Sequence, residues 1–311
     1  MAQMLRLVYN RLNMDGITAI FIDENGTLRS GWRIVIFLLG YFVASGFSAA
    51  IALAIFGGGD YATSESMIVG SFVALIPALV VGSLCGKLFE KLSFDAIGVP
   101  VTLKAAFNLA LGCFVGMLTF VLAVAVPMVA GSLSFTRNPE AVGNLWYSLG
   151  VPLIVFGVAA AFEEALFRGY IFQTLTCSGY AWLAILITAV PFGVVHLGNP
   201  DAGAISTINT VLAGVWFGLA YLKTRDLWFV WGVHWFWNWT QGSVFGIEVS
   251  GITTLVQTPL LIESDAGPHW LTGTTYGIEG GIACTFAILI SIAAIQYGRI
   301  FNAETAKDAE I

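Results

Sequence analysis

Long apolar runs, separated by short polar stretches, recur along almost the whole chain. A helix of roughly 20 apolar residues crosses a bilayer, and about eight runs reach or approach that length. The predicted spans are Ile34–Phe56, Met67–Cys85, Ala105–Ala130, Leu145–Thr174, Tyr180–Leu197, Ala202–Leu222, Leu227–Phe245 and Gly280–Tyr297. Prolines inside several runs are tolerated because neighbouring helices satisfy the freed backbone groups. The pattern therefore predicts an all-α, polytopic membrane bundle of about eight transmembrane helices.

The composition points the same way. Hydrophobic residues make up 58% of the chain and charged residues only 10%, whereas soluble domains carry roughly 25% charged residues. So apolar a chain cannot bury its nonpolar surface in one water-facing globule. We therefore expect membrane lipid to be its main partner.

The placement of charge predicts an orientation for these spans. If both termini are cytoplasmic, all Lys and Arg residues except Arg137 and Arg168 lie on the cytoplasmic side, as the positive-inside rule requires. The outside loops hold Asp60, Glu65, Glu140, Asp201, Glu248, Glu263, Asp265 and Glu279. No basic cluster indicates a nucleic-acid partner. We expect a multi-pass protein of a bacterial plasma membrane with both termini in the cytoplasm.

Three segments follow from this topology: a cytoplasmic N-terminal arm (1–33), a transmembrane domain (34–300) and a cytoplasmic tail (301–311). Within the arm, Ala19–Arg29 contains the turn signal Glu24-Asn25-Gly26. It fits either a small hairpin or an amphipathic arm on the membrane surface. The longest outside stretch, Gly246–Glu279, is polar and rich in glycine, but lacks the ending of a phosphate-binding loop.

Ionisable side chains inside membrane spans are costly and suggest function. The fourth predicted span carries Glu163, Glu164 and Arg168. Glu164 and Arg168 are four residues apart, so they share a helix face and can form an internal ion pair. Glu163 points about 100° away. A carboxylate left without a cation can serve as a general base.

The fifth and seventh spans supply the other polar groups. Phe192 and His196 are one helical turn apart, so the aromatic ring can wall the imidazole on one side. His234 and Asn238 are also one turn apart and face the same way. A carboxylate, two imidazoles and a carboxamide on three spans of an apolar bundle form the inventory of water-activating hydrolysis.

Counting residues tests whether these groups lie at one depth. Glu163 and His196 are almost equidistant from Gly179 in the turn between their spans, roughly 24–25 Å along each helix. His234 and Asn238 lie only roughly 12–18 Å from the start of their span. The count puts Glu163 and His196 at one level and fits Asn238 better than His234.

These residues also form a recognisable set of motifs. Glu-Glu-x-x-x-Arg at 163–168, Phe-x-x-x-His at 192–196 and His-x-x-x-Asn at 234–238 follow one another on separate spans. The chain resembles the CPBP family, which comprises the type II CAAX prenyl endopeptidases and bacteriocin-processing or immunity proteins. The resemblance covers about residues 145–245.

The resemblance implies an eight-helix intramembrane protease that cleaves a peptide bond near the membrane surface, in a peptide or lipidated-protein substrate. Carried over to this chain, it implies that Glu163 activates water with His196 as its partner. It further implies that His234 and Asn238 hold the oxyanion, with Glu164, Arg168 and Phe192 in support.

A zinc-dependent variant of this chemistry is open at this point, because the family is often labelled metalloprotease. The ligands in this chain would be Glu163, His196 and His234, with Asn238 as a fourth. The sequence has no His-Glu-x-x-His motif, and a glutamate and a histidine can activate water unaided. We therefore favour metal-free hydrolysis.

Two other functions use the same residues. A non-catalytic immunity or scaffold protein of this fold would bind a partner through the cavity. A proton or ion transporter would also bury carboxylates and histidines. The transporter is disfavoured because no pair of short, interrupted helices recurs at matching positions in two halves of the chain.

Overall fold

The computed structural model describes residues 16, 18–57, 63–92, 99 and 101–298. The predicted tail 301–311 and the first 15 residues of the predicted arm lie outside this part of the chain. The described residues are predominantly helical, and the predicted all-α polytopic bundle is confirmed.

Twelve α-helices follow one another within the described ranges. They are α1 Thr18–Phe21, α2 Ser30–Phe56, α3 Ser64–Cys85, α4 Leu103–Val129, α5 Pro139–Gly143, α6 Val151–Glu164, α7 Ile171–Cys177, α8 Ala181–Val195, α9 Ala204–Thr224, α10 Leu227–Trp239, α11 His269–Thr272 and α12 Ile282–Tyr297. π-helical turns extend several of them, at Gly86–Glu90, Trp146–Gly150, Ala165–Tyr170 and Thr240–Val244. Short 3-10 turns occur at His196–Gly198, Thr274–Tyr276 and Ile278–Gly280.

Six continuous helical stretches in the described part of the chain are long and apolar enough to cross a membrane. They are Ser30–Phe56, Ser64–Glu90, Leu103–Val129, Trp146–Cys177, Ala181–Gly198 and Ala204–Thr224. The other two predicted spans correspond to α12, a shorter apolar helix, and to α10, which has 13 residues. The chain is an integral membrane protein, and the count of eight spans stays a prediction.

Glycines allow α4 and α10 to pack backbone to backbone. A Cβ atom at Gly112 or Gly116 of α4 would overlap the carbonyl oxygens of Phe229 and Val233 of α10, respectively. A Cβ at Gly232 of α10 would meet the backbone of α4 in return. Small residues at such a spacing let helices approach closely in lipid, where van der Waals packing drives association.

Three tryptophans hold α10 to the α6 segment. The indole N–H groups of Trp231, Trp235 and Trp239 donate to the carbonyls of Gly157, Leu153 and Leu149 at 2.8, 2.9 and 3.0 Å. Donors and acceptors are both spaced by four residues, in opposite chain directions. We call this set of three bonds the tryptophan ladder.

Residues 245–281, which we call the cap, cover one end of the bundle. The cap contains β2, Leu261–Asp265, which pairs antiparallel with β1, Leu133–Arg137. The Asn138 side chain also donates to the carbonyl of Pro259 at 2.9 Å. The outside loop predicted from sequence is therefore an ordered layer.

The alternatives for Ala19–Arg29 resolve to a hairpin turn. Ile22 and Leu28 form an isolated antiparallel bridge. The Asp23 carboxylate accepts bonds from the backbone N–H groups of Asn25 and Thr27, both at 2.9 Å.

Candidate active site

A cavity lies between α6, α8, α9, α10 and the cap, and it is lined by the four side chains predicted from sequence. Glu163, His196, His234 and Asn238 all border it, as does Phe192. The cavity volume is about 120 Å³, and a buried water needs on the order of 10–15 Å³ of such space. The cavity therefore has room for several waters or for a peptide group.

A buried ionic layer adjoins this cavity at His234. Arg168 donates to Glu164 Oε1 at 3.2 Å and to the Gly214 carbonyl at 3.1 Å. His234 Nδ1 lies 2.8 Å from the same Glu164 oxygen. The side chains of Glu164 and Arg168 are 0% exposed, so each charge depends on the others for compensation. The predicted Glu164–Arg168 pair is present, with His234 as an additional partner.

Glu163 faces the cavity on the other side of His234. Its side chain is 25% exposed, and its Oε2 lies 3.8 Å from His234 Nε2. That oxygen is buried without a hydrogen-bond partner. It can therefore accept a bond from a water or substrate in the cavity.

His196 is fixed by the end of its own helix. Its Nδ1 lies 2.6 Å from the Phe192 carbonyl oxygen, and because a carbonyl only accepts, Nδ1 carries the proton. The Phe192 and His196 rings lie 4.8 Å apart, as expected from their spacing. No hydrogen bond joins Glu163 to His196 among the described residues; the imidazole beside Glu163 is that of His234.

The depth count separated His234 from Glu163, whereas the structure brings them together. The count assumed a regular helix from Glu163 to the turn at Gly179. Instead, residues Ala165–Tyr170 form a π-helical turn in which Gly169 has a non-helical ψ of −118°. The rise of 1.5 Å per residue does not hold across such a kink.

Glu279 was not predicted as a site residue, yet its carboxylate lines the cavity. It accepts bonds from Trp237 Nε1 at 3.1 Å and from the Ser250 N–H and hydroxyl at 2.7 and 2.8 Å. Asn209 donates to the Glu279 backbone carbonyl at 2.8 Å. Glu279 thus joins the cap to α10 beside the candidate site. Its nearest sequence signal was an acidic residue directly before Gly280-Gly281.

The same side chains are the predicted ligands of a zinc ion. Within the described ranges, no group of three or more His, Cys, Asp or Glu side chains is placed to hold a metal ion. His234 and His196 each use Nδ1 for a bond to Glu164 and to a backbone carbonyl, respectively, which leaves Nε2 as the nitrogen that could bind a metal. The predicted zinc ligands Glu163, His196 and His234 are not among the groups close enough to share one ion in the described part of the chain.

Comparison with known protein families gives a match to part of the chain. Residues 144–240 match the model of the type II CAAX prenyl endopeptidase Rce1-like family. No curated protein matches the chain, and no solved structure matches it. The matched segment contains all of Glu163, His196, His234 and Asn238.

Proposed function

Because residues 144–240 match the model of the Rce1-like family of type II CAAX prenyl endopeptidases, we propose that the chain is an intramembrane endopeptidase that hydrolyses a peptide bond near the membrane surface. The observation that carries the proposal is the cavity itself. It brings a carboxylate, two imidazoles and an amide from three helical segments around a space large enough for water.

Glu163 is the proposed general base. Its Oε2 has no hydrogen-bond partner and borders a cavity large enough for water. A water bound there gives its proton to Glu163 as its oxygen attacks the carbonyl carbon of the substrate. Such a positioned base typically contributes about 10²–10⁴-fold to the rate.

His234 and Asn238 are the proposed donors to the developing oxyanion. Glu163 and Glu164 carry two negative charges and Arg168 one positive charge, so protonation of His234 makes the cluster neutral. The imidazolium is held by Glu164 through Nδ1, and its Nε2–H faces the cavity. Donors of this kind contribute about 2.7–4 kcal/mol each when aimed at the transition state.

His196 is the proposed second proton carrier. With Nδ1–H donated to the Phe192 carbonyl, its Nε2 keeps a lone pair that can accept a proton and deliver it to the leaving amine. His196 then works with Glu163 through water or substrate, without a direct hydrogen bond between the two residues. We also propose that both termini lie in the cytoplasm, as the charge pattern favours.

The test replaces Glu163 by Gln, which keeps the side-chain shape and removes the base. Cleavage of lipid-tethered fluorogenic peptides by the purified protein in proteoliposomes should fall about 10²–10⁴-fold, while membrane insertion and thermal unfolding stay unchanged. Glu65→Gln, at an exposed residue, is the matched control and should retain full activity. Undiminished cleavage by Glu163→Gln would rule out the assigned base.

The alternatives give different results in the same variant. A non-catalytic immunity or scaffold protein would keep its biological effect in Glu163→Gln. A transporter would show a proteoliposome ion flux that the substitution abolishes. The side chains of Glu164 and Arg168 behind His234 are fully buried and paired, which disfavours a continuous conducting path.

A further inference from the structure

The cap contributes to the cavity wall a second carboxylate, Glu279, which the proposed hydrolysis does not use. Its Oε1 accepts a hydrogen bond from Trp237, and its Oε2 accepts two from Ser250, one from the backbone N–H and one from the hydroxyl. All three partners donate, so the side chain acts only as an acceptor, as an ionised carboxylate does. An ionised carboxylate offers about four acceptor sites, which leaves acceptor capacity for a ligand.

Glu279 has no cationic partner in the described part of the chain. The ion pairs at the cavity belong to the cluster around His234, and none of them includes Glu279. No Lys or Arg is among the described residues that line the cavity. The cluster around His234 is neutral when that imidazole is protonated, so the negative charge of Glu279 is left without a counterion. A cation bound in the cavity would offset the cost of partly burying this charge.

Aromatic rings lie beside this carboxylate. Trp237, which donates to Glu279, and Trp216 both line the cavity. Their ring centroids are 5.9 Å apart, and their planes are inclined at 76°. The faces of indole rings attract ammonium and guanidinium groups. A carboxylate next to two indoles is therefore suited to bind an organic cation.

Trp216 provides independent evidence that the cavity is built for a polar ligand. The residue is 1% exposed, and its indole N–H is buried without a hydrogen-bond partner. Leaving a buried donor unpaired is costly. Because Trp216 lines the cavity, a carbonyl oxygen of a bound peptide is a suitable acceptor. The cavity thus offers a donor to a peptide backbone and an acceptor to a cation.

The carboxylate of Glu279 lies close to the proposed oxyanion donors. Its partner Trp237 is the chain neighbour of Asn238 and comes three residues after His234 on α10, which is about 4.5 Å along a helix axis. An extended peptide advances roughly 3.3–3.6 Å per residue. A side chain that reaches Glu279 therefore belongs to a residue within about two positions of the bond held by His234 and Asn238.

We infer that Glu279 selects peptides that carry a basic side chain, lysine or arginine, within about two residues of the bond at the oxyanion donors. Given the proposed function, this bond is the one that is cleaved; the preference for a cation follows from the cavity alone. A peptide that places an acidic side chain or a terminal carboxylate beside Glu279 is disfavoured, because like charges repel there.

Cleavage and binding of a peptide series test this selection. Capped, lipid-tethered fluorogenic peptides carry lysine, its neutral analogue norleucine, or glutamate at each of four successive positions around the cleaved bond, and are assayed in proteoliposomes. Binding of untethered versions with a neutral fluorophore is measured by fluorescence anisotropy in micelles, with the Glu163→Gln protein. Glu279→Gln removes the charge and Glu279→Asp keeps it. Glu263→Gln, in the cap but not on the cavity wall, is the matched control.

At one or more positions, we expect lysine to raise kcat/KM and affinity about 10–100-fold over norleucine, with glutamate the poorest. Glu279→Gln should remove this preference but still cleave the norleucine peptide, whereas Glu279→Asp and Glu263→Gln should keep the preference. An undiminished preference in Glu279→Gln would overturn the inference. So would a wild-type protein that favours norleucine or glutamate at every position, a result that needs no variant to fold.

The two assays separate this inference from the proposed function. Selective binding of lysine peptides without any cleavage would overturn the proposed function and leave the inference standing. Cleavage without a preference for lysine would do the reverse. Absence of both binding and cleavage would overturn both.

Discussion

Helix α2 and the segment 144–240, which matches the family model, are both apolar, but different contacts hold them in the bundle. In an apolar stretch of 18 residues within each helix, 11% of the residues are buried in α2 and 50% in α9. Phe42 and Phe47 of α2 are 68% and 69% exposed, as suits side chains that face lipid. The comparison teaches that high hydropathy alone defines a span, whereas the site depends on buried polar contacts between spans.

The ionic contacts give the largest expected difference between the two regions. Arg168→Met removes a buried positive charge that pairs with Glu164, so the buried layer lacks one compensating charge and the free energy of unfolding should fall by about 3–5 kcal/mol. Arg33→Met should cost less, because Glu90 keeps the Tyr170 and Thr174 hydroxyl donors and borders an open pocket. Unfolding by denaturant in mixed micelles measures both values. Equal losses in the two variants would contradict the distinction.

Glycine substitutions should give the next largest difference between the two regions. Gly116→Ala places a methyl group against the Val233 carbonyl, and overpacking of this kind costs about 1–3 kcal/mol. Because Val233 precedes His234, peptide cleavage should also fall. Gly46→Ala in α2 has nothing within 4 Å of the added methyl and should change neither quantity. Thermal unfolding and peptide cleavage are measured for both variants. Wild-type stability and cleavage in Gly116→Ala would show that close packing is not required.

Tryptophan substitutions should have a smaller effect. Trp235→Phe removes the indole bond to the Leu153 carbonyl, and such bonds in membrane bundles are worth about 0.6–1.7 kcal/mol. Trp32→Phe removes the bond from its indole to the Ile20 carbonyl at 3.1 Å, which is exposed, so its loss should be smaller still. The two changes in unfolding free energy provide the measurement. A larger loss for Trp32→Phe would reverse the ranking of the two regions.

The last effect is expected in the cap and depends on pH; partial exposure of Glu263 screens its charge and reduces the effect. Burial, together with Glu248 and Asp265 nearby, raises the pKa of Glu263 from 4.5 to about 8. The folded cap thus favours protonated Glu263. The contribution of Glu263 to stability is full below pH 4.5 and is lost as pH rises through about 8. Between pH about 5 and about 9, the thermal unfolding temperature of the wild type should fall more than that of Glu263→Gln. Parallel pH profiles would show that Glu263 does not titrate in this range.

The sequence predicts the helical spans well because each span is a local pattern. The predicted run Ile34–Phe56 compares with an observed helix of Ser30–Phe56, and Ala105–Ala130 compares with Leu103–Val129. The candidate site residues were also identifiable, since ionisable groups are conspicuous in an apolar span. The structure places all four of them on one cavity, although their catalytic roles stay predictions.

Contacts between distant segments could not be predicted in this way. The pairing of β1 with β2 joins strands more than 120 positions apart, and neither strand has a distinctive pattern. The bond between His234 and Glu164 joins side chains 70 positions apart, and no residue spacing reveals it. Glu279 reaches the cavity only because the cap folds back over the bundle.

The tryptophan ladder has a consequence for the motion of α10. Its three bonds repeat at the helical period, so a small rotation or slide of α10 against α6 would break all of them together. Only a shift by a whole turn could restore two of the three. The ladder thus fixes the position of the seventh predicted span along the fourth. The orientation in which His234 and Asn238 meet Glu163 is therefore set by indole groups that do not contact the reacting atoms.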